Sequence, residues 1–138
     1  MRILALGGAG RICREAVIDL AAFSQAEQIT VADCDEDAGR HLVESIADRR
    51  VDFMPMDLRQ KAEAVDRMRG YDVVMDGTTI RLNDRSTACI AEAGCNGINL
   101  NGFGEEYKYD AIFKDQGSVH VPGFGMTPGI TDMMVRHA

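Results

Sequence analysis

The thirteen residues Met1-Arg-Ile-Leu-Ala-Leu-Gly-Gly-Ala-Gly-Arg-Ile-Cys13 constrain the fold of this chain more than any other segment. The apolar run Arg2–Leu6 reads as a strand, and Gly7, Gly8, Ala9 and Gly10 read as a tight turn. A helical pattern follows from about Arg11 to Phe23. A second apolar run, Gln28-Ile-Thr-Val-Ala-Asp33, ends in an acid twenty residues after Cys13. Strand, glycine turn, helix, strand and acid in this order make a βαβ unit that takes a dinucleotide. Its glycines let the backbone approach a pyrophosphate, and its acid receives a ribose.

The rest of the chain continues the alternation. Val51–Met56, Asp72–Met75, Ile98–Leu100 and Val119–Val121 read as further strands. Helices are expected over Asp35–Asp48, from Asp57 to a stop at Gly70, from Asn83 or Asp84 to Gly94, and near Glu105–Asp115. The expected buried faces are Ile12, Ala16, Val17 and Leu20 on the first helix, and Ala38, Leu42 and Ile46 on the second. On the third they are Leu58, Ala62, Val65 and Met68. Six strands separated by helices predict a three-layer, doubly wound α/β fold of the Rossmann type. Its six-stranded parallel sheet has the order 3-2-1-4-5-6, with the ligand at the switch between strands one and four. At 138 residues the chain is expected to hold one such domain, residues 1–126. Residues 127–138, ending in a helical stretch from Ile130 to Ala138, read as the start of a connection to a second domain.

Composition narrows the partners. The formal net charge of −7 and the absence of Trp argue against a nucleic-acid partner, which needs a basic face or a stacking platform. No apolar run approaches the roughly 20 residues of a membrane span, and no cationic-then-apolar leader opens the sequence, so no membrane partner is expected. Cys13, Cys34, Cys89 and Cys95 lack metal-ligand spacing and read as reduced thiols, which gives a cytoplasmic domain without a metal as the expectation.

The cofactor contacts follow from position. Gly7, Gly8, Ala9 and Gly10 form the turn, and Arg11 and Ile12 open the helix whose free N–H groups face the pyrophosphate. Cys13 takes the place of the third glycine of the motif, normally a close helix-to-strand contact. Asp33, followed by Cys34, would accept the adenosine ribose hydroxyls and favour NAD, because a carboxylate repels the extra phosphate of NADP. The alternative for Asp33 is a helix cap, and Arg11 and Arg40 leave NADP open. Asp57, with Leu58, either touches the adenine edge or caps the next helix. Gly77, Thr78 and Thr79 leave strand four where the nicotinamide ribose would pass. His41, His120 and His137 are scattered without partners at catalytic spacing.

Four segments, Leu-Gly-Gly-Ala-Gly-Arg11, Val-Ala-Asp33, Asp-Val-Val-Met-Asp-Gly-Thr78 and Pro-Gly-Phe-Gly-Met-Thr-Pro-Gly129, together with Arg81-Leu-Asn83, resemble the saccharopine dehydrogenase family in its N-terminal nucleotide-binding half. The resemblance implies an NAD(P)-dependent oxidoreductase that forms or cleaves a secondary amine by hydride transfer at an imine carbon. It also implies a small amino-acid-like substrate in the full-length protein, a second domain that completes the pocket, and an open question of a homodimer. This chain alone would bind cofactor without turnover. Saccharopine-making members usually carry an aromatic residue where Ile80 stands and have an acid where Thr127 stands, so the resemblance carries over the cofactor site and leaves the catalytic residues unknown. A stand-alone dinucleotide-sensing regulatory domain is the competing reading.

Overall fold

A computed structural model describes residues 1–102, 104–125 and 129–137. Six strands form one parallel sheet: β1 (Arg2–Leu6), β2 (Gln28–Asp33), β3 (Val51–Pro55), β4 (Val73–Asp76), β5 (Asn96–Asn99) and β6 (His120–Val121). Their order is β3-β2-β1-β4-β5-β6, as the alternation of strand and helix predicts. Between them run α1 (Cys13–Phe23), α2 (Glu36–Ile46), α3 (Lys61–Met68), α4 (Asn83–Ala93) and α5 (Asp110–Gln116), and α6 (Thr131–His137) follows β6. Short 3-10 helices, Ile80–Leu82 and Glu105–Tyr109, lead into α4 and α5. Thr127 and Pro128, where the connection to a second domain was expected to begin, lie outside the described residues, as do Phe103, Met126 and Ala138.

The central strand divides the core. Ile3 and Ala5 of β1 point to one face and pack with Cys13, Val17 and Ala21 of α1 and Leu42 of α2. Leu4 and Leu6 point to the other face and join Ala64, Val65 and Met68 of α3, Cys89, Ile90 and Ala91 of α4, and Phe113 of α5. This alternation follows from the two-residue period of a strand covered on both sides. Ala5 pairs with Val31 on one side and Met75 on the other, so β1 is the hydrogen-bonded centre of the sheet.

Several expected boundaries and faces shift. The first helix begins at Cys13 rather than Arg11 and buries Cys13, Val17 and Ala21; Ile12 precedes it and is 69% exposed. The third helix begins at Lys61, not Asp57. Residues 57–60 form a turn closed by the Gln60 N–H on the Asp57 carbonyl at 2.9 Å, and Ala62 is exposed. Asn83 opens α4 without capping it, and Gly94, in the left-handed region at φ 75°, ends that helix as expected. β5 covers Asn96–Asn99 rather than Ile98–Leu100, because its pairing with β4 starts at Val73 opposite Asn96.

Candidate functional site

The glycine turn is held by the strand beside it. The N–H groups of Gly7 and Gly8 both donate to the Ala32 carbonyl at the end of β2, at 2.8 and 3.2 Å, and Gly10 N–H donates to the Gly7 carbonyl at 3.0 Å. Gly7 adopts φ +68°, where an L side chain is strained, and a Cβ there would stand 3.2 Å from Thr78 Cγ2. The turn therefore lies directly against the exit of β4. The N–H groups of Arg11 and Ile12 find no partner among the described residues, which leaves donors at the start of α1.

Cys13 packs where the motif usually has its third glycine, and the structure shows what makes room for it. A Cβ on Gly77 would lie 2.4 Å from Cys13 Cβ and 2.6 Å from its Sγ. The close contact between α1 and the β4 exit thus survives with its glycine on the opposite partner. Burial, then the nearby carboxylates of Asp76 and Asp33, push the Cys13 thiol up to about 12, so it stays a neutral packing group.

Asp33 ends β2 with both carboxylate oxygens engaged. Oδ2 accepts the Ala9 N–H at 3.1 Å and Oδ1 accepts the Asp35 N–H at 3.1 Å. Of the two readings of Asp33, the helix cap belongs instead to Asp35, whose side chain accepts the Ala38 N–H at 3.0 Å. Asp33 therefore joins the glycine turn to the β2 exit and keeps free lone pairs. The neighbouring Asp57 is likewise no helix cap. It accepts the Arg59 main-chain N–H at 2.9 Å and pairs with the guanidinium at 2.7 Å. That side-chain bond holds the Asp57 carboxyl below the usual carboxylate range. Arg40, a candidate for the extra phosphate of NADP, pairs with Glu36 at 3.1 Å and lies over the Phe53 ring.

These groups surround an open cleft of about 230 Å³ at the carboxyl ends of β1, β2, β3 and β4. Nine of the expected site residues line it: Gly7, Gly10, Asp33, Cys34, Asp57, Leu58, Gly77, Thr78 and Thr79. Gly8 is buried behind the turn, Ala9 contributes through its N–H to Asp33, and Arg11 and Ile12 are exposed at the start of α1 without lining this cleft. Leu6, Ala32, Met56 and Leu82 complete the walls and give them an apolar character. For Leu6, Ala32 and Met56 the available signal was their position at or just past the strand ends, and for Leu82 its place in the segment that leaves β4.

Beneath the β4 and β5 exits lies a buried polar cluster that composition and spacing did not reveal. Asp76, 2% exposed, accepts the Thr78 N–H at 2.9 Å and the Ser86 hydroxyl. Asn83 donates to Glu106, and Asn99 donates to Asn83 Oδ1 at 2.7 Å while accepting the Gly123 N–H at 2.9 Å. Asn99 also meets His120 Nε2 at 3.3 Å, and His120 stacks on Phe113 with ring centroids 5.2 Å apart. Burial pulls the His120 imidazole down from its ordinary value. Among the described residues no group of carboxylates, thiols and imidazoles is arranged to hold a metal.

A parallel sheet reversing its order between β1 and β4, with a glycine turn and an acid at that switch, defines a doubly wound nucleotide-binding domain of the Rossmann type. The model of the saccharopine dehydrogenase NADP binding domain matches residues 3–121. The chain belongs to that family. Apo saccharopine dehydrogenase (L-Glu forming) from Saccharomyces cerevisiae superposes with a TM-score of 0.81 at 15% identity, over 94% of this chain and 28% of its own. A double mutant of a dTDP-glucose 4,6-dehydratase from Streptomyces venezuelae, solved with NAD bound, gives 0.61 at 25% identity, over 73% of this chain and 39% of its own. A shikimate 5-dehydrogenase from Mycobacterium fortuitum gives 0.65 at 16% identity, over 89% and 44%. The chain spans less than half the length of each of these proteins.

Proposed function

We propose that the cleft binds a nicotinamide dinucleotide with NAD preferred over NADP. In a larger protein it would supply the cofactor half of an oxidoreductase acting at a carbon–nitrogen centre. The observation that carries the cofactor reading is Asp33. Its carboxylate is fixed by two backbone N–H groups beside the glycine turn and lines the cleft with lone pairs to spare. The residues present fit such a group in two further respects. The start of α1 offers free N–H donors to a pyrophosphate, and Thr78 Oγ1 is a buried hydroxyl without a partner among the described residues.

When bound, the nicotinamide supplies hydride transfer. The chain's own residues bind and orient. The N–H groups of Arg11 and Ile12 take phosphate charge, Asp33 accepts ribose hydroxyls, and Met56, Leu58 and Leu82 give an apolar wall on which a base can lie. The family's oxidoreductase members support the enzymatic context, and the amine or imine substrate follows from that family alone.

A 2′-phosphate about 4 Å from the Asp33 carboxylate, at a half-buried rim, would cost about 1–3 kcal/mol, or roughly ten- to a hundredfold in affinity. Asp33→Ala should therefore weaken NADH and narrow the gap to NADPH, measured by calorimetric titration of both. An unchanged ratio of the two dissociation constants would remove Asp33 from the site.

A further inference from the structure

The exit of β4 holds an arrangement that packing alone does not account for. Thr78 N–H is tied to Asp76 Oδ1 at 2.9 Å, and its methyl group lies against Gly7. Thr78 lines the cleft, and its hydroxyl is buried just behind that wall with no hydrogen-bond partner among the described residues. Below it, Asp76 is a carboxylate at 2% exposure that accepts from a main-chain N–H and from Ser86, itself 0% exposed. No cation pairs with Asp76 among the described residues.

Both features oppose stability. A buried acidic side chain without a cationic partner is costly, and so is a buried hydroxyl without a hydrogen bond. Valine has nearly the shape of threonine and would remove the second cost outright. The carboxylate, for its part, takes the N–H of the turn and the hydroxyl of α4 together, which fixes the turn against the helix.

We propose that Asp76 and Ser86 are a positioning pair that holds the β4 exit so that the Thr78 hydroxyl hydrogen-bonds to an oxygen of the bound dinucleotide. This inference rests on the dinucleotide reading above. Thr78 is the binding group, and Asp76 and Ser86 act through it.

The test compares NADH affinity with the melting temperature of the free protein across a set of variants. Thr78→Val should leave the free protein as stable as wild type, or more so, while weakening NADH about tenfold, the loss of one hydrogen bond to a polar ligand. Thr78→Ser keeps the hydroxyl and should bind within about threefold of wild type. Asp76→Ala should weaken NADH about tenfold, and Asp76→Asn, which still accepts the Thr78 N–H, should restore most of it. Ser86→Ala, which frees one carboxylate oxygen, should fall between wild type and Asp76→Ala. It also carries the positioning test if Asp76→Ala does not fold.

Thr78→Val binding as tightly as wild type overturns the proposal. So does a loss of affinity in Thr78→Val that Thr78→Ser shares, or Asp76→Asn binding no better than Asp76→Ala. Ser86→Ala indistinguishable from wild type removes the positioning role. A wild-type protein that binds neither NADH nor NADPH overturns the dinucleotide reading and this inference with it. Binding by wild type with no difference among the variants overturns this inference alone.

Discussion

Replacing Gly77 with alanine tests the closest contact in the site. Gly77 has an ordinary backbone conformation, so alanine meets no conformational penalty there, and the whole effect is steric. The new Cβ would stand 2.4 Å from Cys13 Cβ and 2.6 Å from Cys13 Sγ. The sulfur can rotate away, but the Cβ moves only with the backbone of α1, which is anchored through Val17 and Ala21 in the core. The cost therefore belongs at the upper end of overpacking, about 3 kcal/mol, which is roughly 10 °C in melting temperature for a domain of this size. Cys13→Gly alone loses one buried side chain and adds a glycine near a helix start, about 1–2 kcal/mol together. In the double variant the two close atoms are gone and the Cys13 Cα position stands at 3.5 Å from the added Cβ, an ordinary contact. Urea denaturation of wild type, both single variants and the double variant then yields a coupling of about 2–3 kcal/mol in favour of the double. Single effects that add within about 0.5 kcal/mol would refute the idea that Gly77 stands in for the missing third glycine.

Three other outcomes follow from the same structure. A thiol reagent at pH 8 should titrate only Cys34 in the native protein, because Cys13, Cys89 and Cys95 are buried and burial raises all three thiols; unfolding should release the rest. Since Cys34 lines the cleft, NADH should slow its alkylation, and an unprotected rate at saturating NADH would place the ligand elsewhere. His120 is held below its ordinary 6.5 by burial, an effect that Asp76 and Glu106 partly offset. The unfolded chain therefore takes up its proton first, and stability should fall as pH drops below 6.5, by at most about 1.4 kcal/mol per pH unit for this one group. His120→Gln should flatten that slope in denaturation curves between pH 7 and 5, and an unchanged slope would assign it to other groups.

The sheet order and the cleft were legible because each rests on local pattern. Apolar runs alternate with helical spacing, and the glycines and Asp33 fall at fixed offsets along one βαβ unit. What escaped the sequence depends on contacts between distant segments. Asn96-Gly-Ile-Asn99 forms β5 although it is half asparagine, because Asn99 is buried and bonded to Asn83 and Gly123. Sequence spacing made Asn83 a candidate helix start and gave Ser86 and Glu106 no role, and only the fold shows that Asp76 bonds to Ser86 and Asn83 to Glu106. Ile12 fits the helical period of α1 but precedes its first turn, so periodicity assigned it to the wrong face. The role of Gly77 opposite Cys13 requires knowing that α1 crosses the β4 exit, 64 residues along the chain.

Calorimetric titration of the 138-residue chain with NADH and NADPH decides whether this cleft takes a nicotinamide dinucleotide and whether Asp33 selects among them. One nucleotide per chain, with NADH tighter by at least about tenfold, is the predicted result. The absence of binding by either up to about 1 mM would contradict the cofactor site, and tighter binding of NADPH would contradict the role given to Asp33.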